Sequence, residues 1–235
     1  MAFFLALLVL ITILVPMVTL SQLGRLALSL VFVLTLIFGS FATIQDRLLI
    51  YSVVALAIST LAVDLVAEFN LAHSSSAVEM TLKLACLSIL IFMTLKQTFR
   101  PGPVTVYRVM GGIAGYLLIG FTWSVAYQLV IDLAPNAIHF NFPLADIPAR
   151  QPTHLMYFSF ITLTTVGYGD AYPVHPAARS LAMAEALIGQ LYIATLIASL
   201  VGMAMQTRSA RADVGPNVWG QANESIPEPI ENGRG

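Results

Sequence analysis

Residues 164–170 read Thr-Thr-Val-Gly-Tyr-Gly-Asp (TTVGYGD), in a chain otherwise dominated by Leu, Ile, Ala and Val. In an ordinary strand, successive carbonyl groups point in alternating directions. Left-handed dihedrals at every second position turn these carbonyls to the same side, and glycine adopts such dihedrals at little cost. Gly167 and Gly169 alternate with Val166 and Tyr168 in this way. The stretch therefore predicts a row of backbone carbonyl oxygens facing water or an ion.

The composition predicts a membrane protein. Of the 235 residues, 58% are hydrophobic and 10% are charged, and the mean hydropathy is +0.84, whereas soluble domains carry about 25% charged residues. A helix needs roughly 20 mostly apolar residues to cross a bilayer. Six runs qualify as predicted spans one to six: 2–20, 26–44, 48–67, 78–95, 109–131 and 180–205.

Several classes of function are disfavoured by the same composition. The net charge of −1 gives no basic field for nucleic acid. The single cysteine, Cys86, excludes an intrachain disulfide and is predicted to be a small apolar residue in a helix interface. The four histidines are scattered, and no spacing indicates a metal centre, an organic cofactor or an enzyme active site.

A short helix is predicted to precede the quoted stretch. Pro152 suits the first turn of a helix, and the following apolar run of about eleven residues is too short to span. Such a re-entrant element is tolerated at membrane depth only in protein or beside a watery cavity. Seven of the eleven basic residues lie on the cytoplasmic side if the N-terminus is inside, which places this loop outside.

TTVGYGD, preceded by YFSFITL and followed by a proline and a long apolar helix, resembles the signature of potassium channels. More closely, it is similar to prokaryotic members of the ion channel family with a two-helix pore, over roughly residues 105–205. The resemblance implies that Thr165, Val166, Gly167 and Tyr168 coordinate permeant potassium in a selectivity filter. One filter loop supplies a quarter of a ring, so the resemblance implies a homotetramer.

The residues around the filter receive supporting roles from the same resemblance. Thr164 would lie at the cavity end, and Gly169 would complete the outer turn. Asp170 would concentrate cations at the outer mouth and also brace the short helix through Tyr157. Tyr168 would point away from the pore.

Two further expectations concern the back of the filter. We expect the Tyr168 ring to pack against Tyr157 and Phe158 and so to fix the filter diameter. Ile161 stands where some family members carry a glutamate, so filter inactivation that depends on that acid is not expected.

The sixth span is expected to line an inner cavity. Gly189 lies where a hinge glycine would be expected, although close packing is an alternative role. Ile193, Ile197 and Val201 share a face with Gln190 and are candidate cavity liners, but their spacing would also serve helix packing.

Glu185 is an acid inside the sixth span. Intramembrane acids indicate function. We expect Glu185 to form a hydrogen bond with Ser159 or Thr162, while a direct role in permeation is the alternative.

The chain is predicted to be an all-α membrane protein with six transmembrane helices and a re-entrant pore helix between helices five and six. Residues 1–104 would form a four-helix membrane domain, 105–206 the pore domain and 207–235 a disordered cytoplasmic tail. Gly111 and Gly115 of the fifth span would pack against the sixth. The fourth span has only Lys83 and Lys96 near its ends, so steep voltage sensing is not expected.

These observations predict passive potassium transport across the cell membrane (plasma or inner), with the lipid bilayer and three copies of the chain as partners. The alternatives are a weakly selective cation channel and a non-conducting membrane subunit of a sensor or transporter complex. The sequence identifies no gating ligand. His154 and His175 flank the filter, where external proton sensing competes with an ordinary exposed polar role.

Overall fold

The computed structural model describes residues 2–18, 76–100, 102, 104–141 and 152–224, together with positions 30, 33–35, 37–39, 41, 51, 54–55 and 57–59. The described elements are, in chain order, α1 (Ala2–Val18), α2 (Ser76–Thr98), α3 (Val106–Leu133), β1 (Ile138–Phe140), α4 (Pro152–Leu163), β2 (Ala171–Pro173) and α5 (Pro176–Glu224).

Three described helices are long and apolar enough to cross a membrane. They cover Met80–Thr98 in α2, Val106–Leu133 in α3 and Pro176–Met205 in α5, and they coincide with predicted spans four, five and six. Helix α1 has 17 residues and coincides with the first run. Runs two and three lie largely outside the described residues, although their described positions are helical. The count of six spans therefore stays a prediction.

The loop between α3 and α5 contains a two-stranded ribbon that the all-α prediction did not include. Strands β1 and β2 are antiparallel, with Ile138 opposite Pro173 and Phe140 opposite Ala171. Each strand has only three residues, too few for an alternating pattern to be recognised in the sequence. The ribbon joins the chain before α4 to the chain after the TTVGYGD loop.

Helix α3 is the shared wall of the structure. Helices α1 and α2 pack against it, as do α4 and α5. Its residues Leu118 and Phe121 join a buried cluster with Phe4 of α1 and Leu87 of α2. Cys86 is fully buried in the same cluster, as the sequence predicts. The N-terminal helices thus contact the predicted pore domain of their own chain.

Glycines let α3 and α5 approach each other closely. A Cβ at Gly112 would lie 2.7 Å from Leu196, and a Cβ at Gly115 would lie 2.6 Å from the Tyr192 hydroxyl. That hydroxyl donates a 2.6 Å hydrogen bond to the Gly112 carbonyl. The predicted packing of the fifth span against the sixth is confirmed for Gly115, and Gly112, which the sequence prediction did not place there, lies at the same contact.

The structure differs from the sequence prediction at the carboxyl end. Helix α5 continues to Glu224, so residues 207–224 are helical where disorder is predicted. The first part of this segment, RSARA at 208–212, consists mostly of good helix formers that extend the preceding helix. Residues 225–235 lie outside the described residues.

The Tyr192 hydrogen bond predicts a measurable contribution to stability. Tyr192→Phe removes the bond to Gly112, and we expect a loss of about 0.5–1.5 kcal/mol in the free energy of unfolding. Thermal unfolding in detergent micelles measures the change. Tyr107→Phe is the matched control, because Tyr107 is 67% exposed. Equal midpoints for both variants would contradict the assigned role.

Candidate functional site

The candidate site is the loop that follows α4. Helix α4 has 12 residues and is about 18 Å long, shorter than the roughly 30 Å hydrocarbon core. Its last turn is closed by backbone hydrogen bonds from Thr164 to Phe160 and from Thr165 to Thr162, each 3.0 Å long. The negative end of the helix dipole therefore lies next to the TTVGYGD loop.

The backbone of this loop alternates in handedness. Thr165, Gly167 and Gly169 have φ angles of 57°, 53° and 83°, whereas Val166 and Tyr168 between them have negative φ. This is the alternation that the two glycines predict. No such signal marks Thr165, where a left-handed conformation costs roughly 1–2 kcal/mol. A conformation of this kind persists only where its surroundings hold it.

Hydrogen bonds hold the centre and the outer end of the loop. The Gly167 amide donates to the Ile161 carbonyl at 3.2 Å, so the backbone of α4 supports the centre of the loop. At its outer end, the Tyr157 hydroxyl donates to Asp170 Oδ2 at 2.6 Å. The Asn141 amide donates to the Asp170 carbonyl at 2.7 Å. The predicted brace between Asp170 and Tyr157 is confirmed.

Tyr157 is suited to this role as a donor. Burial, followed by its hydrogen bond to Asp170, raises the pKa of Tyr157 to about 12. The phenol therefore keeps its proton at neutral pH and continues to donate.

The Tyr168 side chain is 72% exposed in the single chain. Its packing against Tyr157 and Phe158 stays a prediction. The Phe158 ring turns towards α3 and meets Tyr127 edge to face, with 4.8 Å between ring centroids. Phe158 thus packs in the core between α4 and α3.

The inner end of the loop is polar. The Thr164 hydroxyl donates to the Phe160 carbonyl at 2.6 Å. Gln190 Nε2 donates to Thr165 Oγ1 at 3.2 Å, a contact that the sequence prediction missed. The signal available was that Gln190 shares a helical face with the candidate cavity liners. Those residues, Ile193, Ile197 and Val201, are all exposed in the single chain.

Gly189 contacts the end of α4, directly before the TTVGYGD loop. A Cβ at this position would lie 2.3 Å from the Leu163 carbonyl oxygen, which also accepts a 3.2 Å hydrogen bond from the Tyr116 hydroxyl. The contact is with backbone, which yields less easily than a side chain. Gly189 therefore permits close packing of α5 on the end of α4, and its role as a hinge stays a prediction.

Glu185 lies one turn before Gly189 and is fully buried. Ser159 Oγ is 2.5 Å from Glu185 Oε1, and the Tyr127 hydroxyl donates to Oε2 at 2.6 Å. The predicted hydrogen bond to Ser159 is confirmed. The partner Tyr127 on α3 was missed, because a contact between residues 58 positions apart leaves no local pattern in the sequence.

The two outer histidines have different environments. His175 is exposed, and its Nδ1 accepts the Ala177 amide at 3.3 Å at the start of α5. His154 is buried at the start of α4, with its ring 5.6 Å from that of Phe140. This burial lowers the pKa of His154.

Comparison with known proteins identifies the class of this region. Residues 136–206 match the family described as "Ion channel". They contain β1, α4, the TTVGYGD loop, β2 and the apolar part of α5. The chain thus carries an ion-channel domain together with helices apolar enough to lie in a membrane.

Two potassium channels of Oryza sativa subsp. japonica are similar to this chain. Two pore potassium channel c is 31% identical over 85 residues, which cover 36% of this chain and 19% of that protein. Two pore potassium channel b is 27% identical over 116 residues, which cover 49% of this chain and 30% of that protein. The chain thus spans less than a third of the length of either relative. No solved structure matches it.

The packing at Gly189 generates a prediction with a control on the same helix. Gly189→Ala places a methyl group against the Leu163 carbonyl, and we expect a loss of about 1–3 kcal/mol from overpacking. Gly202→Ala adds the same methyl group where no atom lies within 4 Å and should be neutral or slightly stabilising. Thermal unfolding of the two variants distinguishes them. A stable Gly189→Ala protein would contradict the close contact.

The burial of His154 predicts that this residue makes the free energy of unfolding depend on pH. Since the pKa of His154 is lowered in the folded state, the unfolded chain binds more protons as pH falls below about 6.5. The contribution of His154 to the free energy of unfolding should therefore fall from about pH 7.5 to about pH 5.5, so stability should rise less steeply with pH in His154→Phe than in the wild type. Thermal unfolding across this range measures it. His175→Asn is the exposed control and should keep the wild-type slope; an unchanged slope in His154→Phe would contradict the assignment.

Proposed function

We propose that this chain is one subunit of a homotetrameric, potassium-selective channel that does not respond steeply to voltage. The observation that carries the proposal is the alternating handedness of Thr165, Gly167 and Gly169 in a loop beyond a short helix. Such a backbone directs successive carbonyl oxygens to one side.

Potassium is the ion that this backbone suits best. Rings of carbonyl oxygen from Thr165 to Tyr168, with the Thr165 hydroxyl as a lower ring, would replace the water shell of a monovalent cation. The carboxyl end of α4 adds a negative dipole end beneath the ions. The Asp170 carboxylates would attract cations to the outer mouth. The similarity to two potassium channels supports the same choice of ion.

Assembly from four copies is supported by the surface of α5. In the most apolar 18-residue stretch of α5, only 11% of the residues are buried within the chain. In the corresponding stretch of α3, 44% of the residues are buried. Large apolar side chains such as Met183, Leu187 and Leu191 are exposed along this helix. Neighbouring copies around a central axis would cover part of this face and would complete the carbonyl rings.

The proposal includes a location and a response to voltage. The protein would lie in the plasma or inner cell membrane as a multi-pass protein, with the filter loop outside. The fourth predicted span carries only Lys83 and Lys96, which is too little charge for steep voltage sensing.

Flux through the purified protein in liposomes tests the proposal. Under a potassium gradient we expect potassium flux that exceeds sodium flux, and Gly167→Asp should abolish it, because the new side chain disrupts the left-handed position and adds charge to the carbonyl rings. Gly202→Ala, far from the filter, should conduct like the wild type. The measurements are made on protein whose tetrameric state has been verified by mass.

The outcomes separate the proposed function from its alternatives. Equal sodium and potassium flux would indicate a weakly selective cation channel. A verified tetramer without flux over a range of pH and voltage would indicate a non-conducting membrane subunit. A stable monomer would contradict the proposal outright.

A further inference from the structure

We propose that Glu185 is a neutral carboxylic acid that locks α3, α4 and α5 together and thereby positions the selectivity filter. Glu185 on α5 contacts Tyr127 of α3 and Ser159 of α4, and Ser159 in turn contacts the backbone of α3 at Gly120. The four residues form a connected group, which we call the Glu185 node.

The node is closed to solvent. Glu185, Ser159 and Tyr127 each have 0% exposure. Gly120 has no side chain, and a Cβ there would lie 2.8 Å from the Phe160 ring. This missing side chain brings α4 close enough for Ser159 Oγ to lie 2.8 Å from the Gly120 carbonyl oxygen.

The hydrogen atoms available can satisfy every contact of the node only if Glu185 carries a proton. Ser159 has one hydroxyl hydrogen but two neighbours, the Gly120 carbonyl at 2.8 Å and Glu185 Oε1 at 2.5 Å. The carbonyl can only accept. If Ser159 donates to Gly120, the contact with Glu185 requires a proton on Oε1. A protonated Glu185 then donates to Ser159 and accepts from Tyr127, and every contact in the node is a hydrogen bond.

The surroundings also favour the neutral acid. Both side chains that bond to Glu185, those of Tyr127 and Ser159, are uncharged. Among the described residues, Glu185 forms no ion pair with a basic side chain. A charged carboxylate that is buried without a cation is costly, and more so at membrane depth. A carboxylic acid avoids this cost and keeps the same geometry.

The node is well placed to determine filter geometry. Ser159 lies two residues before Ile161, whose carbonyl accepts the Gly167 amide. Gly189 lies one turn after Glu185 and packs on Leu163 at the end of α4. The node thus fixes the position of α4 between α3 and α5, and α4 carries the backbone that supports the filter. Glu185 acts through α4 and is a positioning residue.

Infrared spectroscopy tests the protonation state directly. The wild-type protein and Glu185→Gln, both labelled with 13C-glutamate, are compared in lipid at neutral pH. We expect a protonated-carboxyl band in the wild type that is absent from Glu185→Gln. Asp170→Asn is the control and should keep the band, because its altered side chain is unlabelled and outside the node. Identical wild-type and Glu185→Gln spectra in this region would overturn the proposal.

Substitutions test the positioning role. Glutamine is the nearest match to the neutral acid, since its amide can donate to Ser159 and accept from Tyr127. We expect Glu185→Gln to assemble and conduct within about twofold of the wild type. Glu185→Ala and Ser159→Ala should lose tenfold or more in potassium flux or selectivity, or fail to assemble. Loss in Glu185→Gln as severe as in Glu185→Ala would overturn the proposal, as would wild-type behaviour of Glu185→Ala.

The flux measurement rests on the proposed function, but the spectrum does not. If the wild type conducts no ions, the proposed function fails, while the carboxyl band and the assembly of the variants still decide the protonation and the positioning role of Glu185.

Discussion

A backbone that alternates between right- and left-handed dihedrals has to be held in place by its surroundings, and the site described here depends on that constraint. Thr165 has a left-handed conformation, which residues with a side chain disfavour. Carbonyl groups that all point to one side also cannot form the regular hydrogen bonds of a β-strand. Support therefore comes from behind and from both ends. Ile161 supports the middle of the loop through its carbonyl, Asp170 anchors the outer end, and Gln190 contacts the inner end.

That support in turn depends on close approach between helices. In a bilayer the hydrophobic effect does not press helices together, so small residues and interhelical hydrogen bonds acquire more importance. Gly112 and Gly115 have no side chain and so leave space for side chains of α5, and Gly189 leaves space for the end of α4. Each of these glycines is paired with a polar contact nearby, such as the one from Tyr192 to Gly112. The short helix α4 is held between α3 and α5 by the same combination.

Local patterns in the sequence predicted much of this arrangement. The spans around α2, α3 and α5, the short helix α4, the glycine alternation and the contacts Tyr157–Asp170 and Glu185–Ser159 were all predictable, because each rests on periodicity, on chain length or on an unusual residue in apolar surroundings. What depends on distant positions was not predictable. The left-handed Thr165, the Tyr127 partner of Glu185 and the ribbon beside the TTVGYGD loop arise from tertiary packing.

The contact between Gly120 and Phe160 has a consequence for the evolution of this protein. The Phe160 ring occupies the space that a side chain at position 120 would need, and it also meets Phe121 edge to face at 5.8 Å. A larger residue at 120 is therefore compatible only with a smaller residue at 160. Related sequences should therefore change these two positions together, and the two positions would form a covarying pair that links α3 to α4. Such a pair would record, in sequence alone, how closely the two helices must approach.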